Sequence, residues 1–222
     1  DSTGAVSHFW ERDCSVQRRH QKIIEIAPAP FLDKTVRDAL LEAAVTIGEA
    51  ANYENLGTVE FLVSMSETES SEFFFIEVNP RLQVEHTVTE EVTGIDLVQT
   101  QLKIASGESL ASLGLLQASI VPTQGYAIQA RVNMERINEE SSVVPSAGTL
   151  SVFSPPSGLG VRTDTFGYTG YQTATSFDSL LAKVIGYSNS RDFAPVIARV
   201  ENALAEFDIK GVDTNIPFLR AI

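Results

Sequence analysis

Two long segments of the chain carry apolar residues at the spacing of an amphipathic helix. The first follows Asp33, a residue type that caps helix N-termini, and is predicted to extend to about Asn52. The second follows Asp192 and is predicted to cover about 193–207. Two shorter helices, ended by glycines, are predicted over 84–93 and 96–107.

Alternating and continuous apolar runs predict β-strands in most of the remaining chain. A loose alternation predicts a strand over 5–10. Two strongly apolar runs predict strands over 57–64 and 72–79, joined by the polar residues 65–71. After Gly125 the pattern is mostly that of strands, which are predicted over 125–133, 148–153, 159–164 and 179–187.

The linker-like composition of residues 108–124 separates a part with helices and a hairpin from a strand-rich part. The sequence therefore predicts an α+β protein with two domains, 1–115 and 116–222.

Composition limits the classes of function. The chain has 222 residues and a formal net charge of −13, which argues against a nucleic-acid or anionic-membrane partner. Its single cysteine, Cys14, excludes an internal disulfide framework and suits a reducing compartment. No apolar run approaches the roughly 20 residues that span a bilayer, and no signal peptide is visible. There are 16 basic residues and no glycine-rich phosphate loop, so either no nucleotide is bound or its phosphate-binding part lies elsewhere.

Each of the two central apolar strands contains a glutamate. If the strands pair as a hairpin about residues 65–71, Glu60 lies opposite Glu77 with Cβ atoms about 4.5–5.5 Å apart. Two buried carboxylates at that spacing repel, and a Mg²⁺ ion would offset the repulsion. Asn79 shares the face of Glu77 and adds an oxygen ligand. The alternative is that one glutamate points to solvent from an edge strand.

Two arginines and a further glutamate are candidates for anion and proton chemistry. Arg81, two residues after the strand, can present a planar fork to a small oxyanion, and Glu85 can act as an ionised general base. The alternative is a polar loop without function. Arg131 shares a strand face with Gln129 and Asn133, opposite an apolar face, and the alternative there is a solvated polar row.

At this point the sequence resembles a known family. The run Glu-Arg-Asp-Cys-Ser-Val-Gln-Arg-Arg-His-Gln-Lys at 11–22 is similar to the basic signature of biotin carboxylases. The run Glu-Val-Asn-Pro-Arg-Leu-Gln-Val-Glu-His at 77–86 is similar to their catalytic signature. Residues 130–133, 178–183 and 211–219 are similar to later conserved segments of the same family, so the likeness extends over the whole chain. It is close to the biotin carboxylase parts of pyruvate and acyl-CoA carboxylases.

The resemblance implies the C-terminal part of an ATP-grasp domain, followed by a mixed, strand-rich biotin carboxylase C-terminal domain. It implies ATP and Mg²⁺ or Mn²⁺ as cofactors, bicarbonate as substrate, and biotin on a separate carrier domain. Implied partners are that biotin carboxyl carrier domain, a carboxyltransferase, and a second copy of the chain at an interface near Leu159 and Arg162. We expect a cytoplasmic protein, or a mitochondrial-matrix protein in a eukaryote.

The resemblance also implies roles for individual residues. The metal ligands would be Glu60, Glu77 and Asn79. The nucleotide contacts would be Gln17, His20 and Leu62. Bicarbonate would be held by Lys22, Arg81, Gln83 and the Val84 backbone. Glu85 would deprotonate bicarbonate for attack on the γ-phosphate, and Arg131 would stabilise the biotin anion.

Some features of the family pattern are absent or altered. The ATP lid with its lysines and the Met-Lys-Met biotin site are not in the sequence, so we expect these residues alone to be inactive. After Asn133 the family usually has Ala-Glu-Asp, whereas this chain has Met-Glu-Arg and a polar segment at 138–142. Two alternatives stay open: another ATP-grasp ligase of the carbamoyl-phosphate synthase type, and a non-catalytic dimerisation module. The Gln-Val-Glu-His tetrapeptide at 83–86 speaks against the first.

Overall fold

The computed structural model describes residues 1–64, 72–137, 142–176 and 178–222. The chain forms two compact units. The first comprises Asp1–Arg12 and Pro28–Gln124, and the second comprises Asp13–Ala27 and Gly125–Ile222. Helices and antiparallel sheets are mixed in the chain, which confirms the predicted α+β class. The predicted domain boundary between 115 and 116 stays a prediction.

The secondary structure is as follows. The strands are β1 Gln17–Arg18, β2 Gln21–Lys22, β3 Ile24–Ala27, β4 Thr58–Ser64, β5 Glu72–Asn79, β6 Tyr126–Asn133, β7 Glu135–Ile137, β8 Val143–Pro145, β9 Val152–Ser154, β10 Val161–Thr165, β11 Leu180–Ser188 and β12 Asp208–Lys210. The helices are α1 Lys34–Ala50, α2 His86–Thr93, α3 Leu97–Ala105, α4 Ala194–Glu206 and α5 Ile216–Leu219.

The helices of the first unit begin and end where the sequence predicts. Asp33 caps α1 by accepting the backbone N–H of Thr35 at 2.8 Å, and Asp96 caps α3 by accepting that of Gln99 at 2.8 Å. Gly94 ends α2 in the left-handed conformation, with φ of 71°, which glycine adopts at little steric cost. Local capping chemistry therefore fixes these helix boundaries.

A β-bulge decides which side chains of the β4–β5 hairpin face each other. Glu60 is paired with Glu77, but the next residue, Phe61, is paired with Phe75, so Ile76 is an extra residue in β5. Successive strand residues point to opposite faces, so Glu60 and Phe61 lie on opposite faces, and their partners do too. The bulge thus places Phe75 with Phe61, although Phe75 is only two residues from Glu77.

The aromatic face of this hairpin lies against α1. The Phe61 ring makes edge contacts with the rings of Phe73 and Phe75, at centroid distances of 5.5 and 6.4 Å. These rings line a groove with side chains of α1, including Ala39, Ala43 and Ile47. Because the aromatic rings take this face, the two glutamates occupy the other one.

The second unit is built on a four-stranded antiparallel sheet with the strand order β10-β11-β6-β3. The apolar side chains of β6 and β11 form one face, against which α4 packs. Core residues on this side include Ile128, Ala130, Val132, Val184, Val196, Val200 and Leu204. Burying each large aliphatic side chain contributes about 1.5–3 kcal/mol, so this face holds the unit together.

Two predicted strands differ in the structure. Residues 5–10 form no strand: Trp10 has a φ of 60°, which an extended strand does not contain, and His8 N–H donates to Gln117 Oε1 at 2.8 Å. The strand predicted over 148–153 is instead the short β9, which begins at Val152 and pairs with β12. The other predicted helices and strands are confirmed, with bounds shifted by one or two residues.

Two polar segments discussed above, 65–71 and most of 138–142, lie outside the described residues. Among the helices that the structure describes, none combines the length and the hydropathy needed to cross a bilayer.

Candidate active site

The two glutamates of the β4–β5 hairpin converge on the face opposite the phenylalanines. Glu60 and Glu77 are directly opposed, which confirms the predicted register. The side-chain amide of Asn79 donates from Nδ2 to Oε1 of Glu60 at 3.1 Å and to Oε1 of Glu77 at 2.8 Å. One amide group can reach both carboxylates only when they share a face. The expected burial of both is wrong, because Glu77 is exposed and Glu60 is only partly buried, so the alternative of a solvent-exposed glutamate holds for Glu77.

A second layer of hydrogen bonds holds Glu60. Gln83 Nε2 donates to Glu60 Oε1 at 2.7 Å, and Gln83 Oε1 accepts from Arg12 Nη2 at 3.0 Å. The same guanidinium donates to Thr58 Oγ1 at 3.2 Å and to Thr89 Oγ1 at 3.0 Å. Sequence reasoning assigned no role to Arg12. Its position in the basic signature at 11–22 was the available signal.

The donor set of this pair suits a hard divalent cation. Two carboxylates about 4–5 Å apart repel by roughly 1–4 kcal/mol, depending on solvent exposure, so a cation between them would be stabilising. Within the described ranges, no three His, Cys, Asp or Glu side chains form a metal-binding cluster. A cation held by Glu60 and Glu77 would therefore need further oxygen ligands, such as an amide, phosphate or water, which Mg²⁺ accepts.

An apolar patch borders the carboxylates. Leu62 lies two positions along β4 from Glu60, so both side chains are on the same face. Leu62 is 62% exposed, and its cross-strand partner Phe74 is 54% exposed. Apolar side chains exposed beside a charged pair suit a ligand that has both an apolar and an anionic part.

The loop after β5 carries the remaining candidates of the first unit. Gln83 and Glu85 are buried, whereas Arg81 is exposed and donates from Nη1 to Leu82 O at 3.1 Å. Glu85 stands at the N-cap position of α2, where its side chain makes no capping bond. The partial positive charge of the helix N-terminus therefore lies beside this buried carboxylate.

In the second unit, three candidates lie on the β1–β2 hairpin. Gln17 is paired with Lys22, and the two turn residues, Arg19 and His20, have φ of 49° and 64°. Two positive φ values in a two-residue turn are those of a type I′ turn, which usually contains asparagine and glycine. The hairpin therefore stores backbone strain at the turn that carries His20, and such strain is typical of functional sites.

Arg131 belongs to a buried polar network on the second face of the sheet. Its Nε donates to Glu25 Oε1 at 2.5 Å, and Gln129 Nε2 donates to Glu25 Oε2 at 2.8 Å. Glu25 and Gln129 are fully buried, so the polar row on β6 is not a solvated face. Asn215 Nδ2 also donates to Arg131 O at 3.0 Å. Sequence reasoning missed Glu25, although a charge between Ile24 and Ile26 was the same signal that identified Glu60.

Replacing Glu25 by glutamine is expected to lower the free energy of unfolding by about 2 kcal/mol. The substitution removes the counter-charge of Arg131 while keeping the side-chain size, and residual water at the 17% exposed guanidinium moderates the cost. Urea unfolding of the two proteins measures the difference. Glu201→Gln, which removes a carboxylate paired with Arg220 on the exposed surface, is the matched control and should change stability by less than about 1 kcal/mol. Equal effects would contradict the prediction.

A second charge cluster on the same sheet makes stability depend on pH. Burial raises the pKa of Asp164, but hydrogen bonds from Arg162 and the charge of Lys183 outweigh it and hold the pKa below its usual value. A carboxylate with a lowered folded-state pKa stabilises the fold above its unfolded pKa of about 3.9, and the contribution is lost as the pH falls through the folded-state pKa.

Asp164→Asn is therefore expected to destabilise the chain at neutral pH. The deficit should shrink as the pH falls below the unfolded-state pKa of about 3.9 and through the lowered folded-state pKa. Urea unfolding at a series of pH values measures the deficit. A deficit that does not shrink at any pH below about 3.9 would show that the charge of Asp164 contributes nothing.

The candidate residues thus fall into four groups. Arg81, Val84 and Glu85 lie between the end of β5 and the start of α2. Hydrogen bonds directly connect Glu60, Glu77, Asn79 and Gln83, with Leu62 on the same face. The β1–β2 hairpin carries Gln17, His20 and Lys22. Arg131 lies in the sheet of the second unit, held by Glu25.

Comparison with known proteins identifies the family of the chain. A family model of the carbamoyl-phosphate synthase L chain ATP-binding domain matches residues 1–113, and a model of the biotin carboxylase C-terminal domain matches residues 129–222. The pyruvate carboxylase of Pichia angusta is 48% identical over 223 residues, which are 100% of this chain and 18% of that protein. Biotin carboxylase 1 of Bacillus subtilis (strain 168) is 45% identical over 218 residues, which are 98% of this chain and 46% of that protein.

A solved structure is similar over nearly the whole chain. It is the biotin carboxylase domain dimer of the 2-oxoglutarate carboxylase from Hydrogenobacter thermophilus, in complex with MgADP, ADP and bicarbonate. The TM-score is 0.89 at 38% identity, over 99% of this chain and 46% of that one. The chain belongs to the biotin carboxylase family. It spans less than half the length of the relatives named here.

Proposed function

We propose that the protein containing this chain carboxylates biotin with ATP and bicarbonate. The observation that carries the proposal is the hydrogen-bonded pair of Glu60 and Glu77, bridged by Asn79 and followed within one loop by Arg81 and Glu85. The pair supplies oxygen ligands for a metal ion. Arg81 supplies a positive charge for a small anion, and Glu85 supplies a carboxylate for proton transfer.

The carboxylate pair would hold Mg²⁺ or Mn²⁺ together with ATP. The metal would neutralise charge on the phosphates during phosphoryl transfer. Glu60 and Glu77 would supply two ligands, while Gln83 and Arg12 keep Glu60 in place. Asn79 would add its side-chain oxygen once the amide, whose nitrogen donates to both carboxylates, has turned over. The exposed Leu62 and Phe74 fit an apolar nucleobase beside the phosphates. The family resemblance assigns Gln17 and His20 to the nucleotide as well.

The reaction on bicarbonate would begin at the loop after β5. Arg81, Gln83 and the Val84 backbone would bind the anion, and the resemblance adds Lys22 to this set. Glu85 would take the proton of bicarbonate, whose oxygen then attacks the γ-phosphorus and displaces ADP. The product, carboxyphosphate, breaks into CO₂ and phosphate.

Biotin would then be carboxylated by the CO₂ released. Phosphate takes the N–H proton of the biotin ureido ring, and the resulting anion attacks CO₂ to form the N–C bond. Arg131 would stabilise the negative charge on the ureido oxygen. The contact of Arg131 with the buried Glu25 supports this role, because it fixes the orientation of the guanidinium.

Several further features belong to the same proposal. The carboxylated biotin would be carried on a separate domain to a carboxyltransferase, and the chain would dimerise through the unit that contains Leu159 and Arg162. We propose the domain limits 1–115 and 116–222, and that these residues need the rest of the carboxylase for activity. A cytoplasmic or mitochondrial-matrix location is part of the proposal, and one relative, the mitochondrial pyruvate carboxylase of Rattus norvegicus, supports the second alternative.

Assays of the full-length protein test the proposal. We expect ATP cleavage that requires bicarbonate, increases with free biotin, and yields about one carboxybiotin for each ADP formed above the amount formed without biotin. Stimulation by ammonia from glutamine, with no response to biotin, would favour a carbamoyl-phosphate synthase type of ligase. Binding of a second copy without any bicarbonate-dependent ATP cleavage would favour a non-catalytic dimerisation module.

A further inference from the structure

A row of charged side chains crosses all four strands of the four-stranded sheet. Asp164 on β10 is directly opposite Lys183 on β11, and Lys183 is directly opposite Arg131 on β6. Lys183 Nζ lies 3.1 Å from Asp164 Oδ2, and Arg131 contacts Glu25 on the fourth strand, β3. Cross-strand partners share a face, so the four charges lie on one side of the sheet in the order acid, base, base, acid.

The two bases are neighbours in this row, and each has its carboxylate on its outer side. Opposed residues on antiparallel strands have Cβ atoms about 4.5–5.5 Å apart, and like charges there are destabilising. Lys183 is only 13% exposed, so water screens the repulsion poorly. A neutral residue at 183 would avoid this cost, but it would also remove one of the two basic partners of Asp164. The charge at 183 therefore acts on both of its neighbours in the row, Asp164 and Arg131.

The geometry points to an effect on Arg131. Repulsion from Lys183 disfavours guanidinium positions over β11 and favours the position at Glu25, on the opposite side of β6. The second positive charge also raises the electrostatic potential at Arg131 itself. Both effects favour a negative charge that develops next to the guanidinium.

We propose that Lys183 is a positioning residue for Arg131, which keeps the guanidinium oriented and adds positive potential where the biotin anion forms. This inference rests on the proposed function, because it assumes that Arg131 faces that anion. In the competing explanation Lys183 only neutralises Asp164. Its loss would then weaken the fold without affecting one chemical step more than another.

The test compares two reactions of the full-length protein in Lys183→Met and Lys183→Arg variants. Lys183→Met removes the charge and keeps the length of the side chain, while Lys183→Arg keeps the charge. For Lys183→Met we expect kcat/KM for free biotin to fall about tenfold, while bicarbonate-dependent ATP cleavage without biotin changes less than about twofold. For Lys183→Arg we expect kcat/KM for biotin to stay within about threefold of the unsubstituted value.

Three results would overturn the inference: an unchanged kcat/KM for biotin in Lys183→Met, a parallel fall of both reactions, or a failure of Lys183→Arg to restore the biotin reaction. Thermal melting of each variant accompanies the assays, so that lost folding is separated from lost positioning. The proposed function is tested separately, by the response of the unsubstituted protein to biotin. If that protein shows no response to biotin, both the proposed function and this inference are wrong.

Discussion

Replacing Glu85 by glutamine is expected to lower the bicarbonate-dependent turnover of the full-length protein by a factor of about 10²–10⁴. The substitution keeps the size of a side chain that is only 2% exposed, so the fold should be preserved. It removes the carboxylate that takes the proton of bicarbonate, and an amide cannot replace it. Steady-state ATP cleavage, measured with and without bicarbonate, gives the ratio.

The binding of nucleotide provides the control for this prediction. Glu85 is not among the proposed ligands of the metal or of ATP, so the Kd of MgADP in the Glu85→Gln variant should stay within about threefold of the unsubstituted value. Unchanged bicarbonate-dependent turnover would show that Glu85 is not the base. If the variant lost both turnover and the binding of MgADP, Glu85 would have a structural role instead.

Replacing Glu77 by glutamine is expected to reduce turnover by about 10²–10³-fold and to raise the metal concentration needed for half-maximal activity. The variant leaves Glu60 as the remaining carboxylate of the pair and removes half of its negative charge. Asn79 can still donate to the new amide oxygen, so the hairpin should remain paired. Titration of activity with Mg²⁺ and with Mn²⁺ measures the shift.

Glu72→Gln is the matched control for this variant. Glu72 lies on the same strand, is exposed, and is paired with Ser64 rather than with a carboxylate. Its replacement changes the net charge equally and should alter turnover by less than about twofold. If both variants lost activity to the same degree, the effect would come from overall charge and not from a metal site.

Local rules predicted the position of the glutamate pair but not the bulge that makes it possible. Counting from a midpoint between residues 68 and 69 placed Glu60 opposite Glu77, and the structure has this pairing. A regular strand would, however, have turned Phe75 to the face of Glu77. The extra residue at Ile76 depends on how three phenylalanine rings pack against α1, which is a tertiary contact that no strand pattern contains.

The sequence could not show that the polar residues of the second unit meet in a buried network. Glu25 and Gln129 face each other on β3 and β6 but are about one hundred residues apart along the chain. The polar row at Arg131 was predicted correctly as one strand face. Its burial depends on a distant strand, so a solvated face remained an open alternative until the structure excluded it.

The β1–β2 hairpin was missed because its turn has the wrong residues for its conformation. Type I′ turns favour asparagine and glycine, whereas this turn contains Arg19 and His20 with positive φ values. Its two strands are also only two residues long each, with no apolar alternation. Only the resemblance to a family signature indicated that this polar segment carries function.

Anomalous scattering from Mn²⁺ tests the central claim most directly. A crystal of the full-length protein with ADP and Mn²⁺, measured at the manganese absorption edge, would locate the ion without reference to activity. The account predicts a peak within about 2.0–2.3 Å of a carboxylate oxygen of Glu60 and of a carboxylate oxygen of Glu77. A manganese ion that contacts the nucleotide but neither glutamate would contradict it.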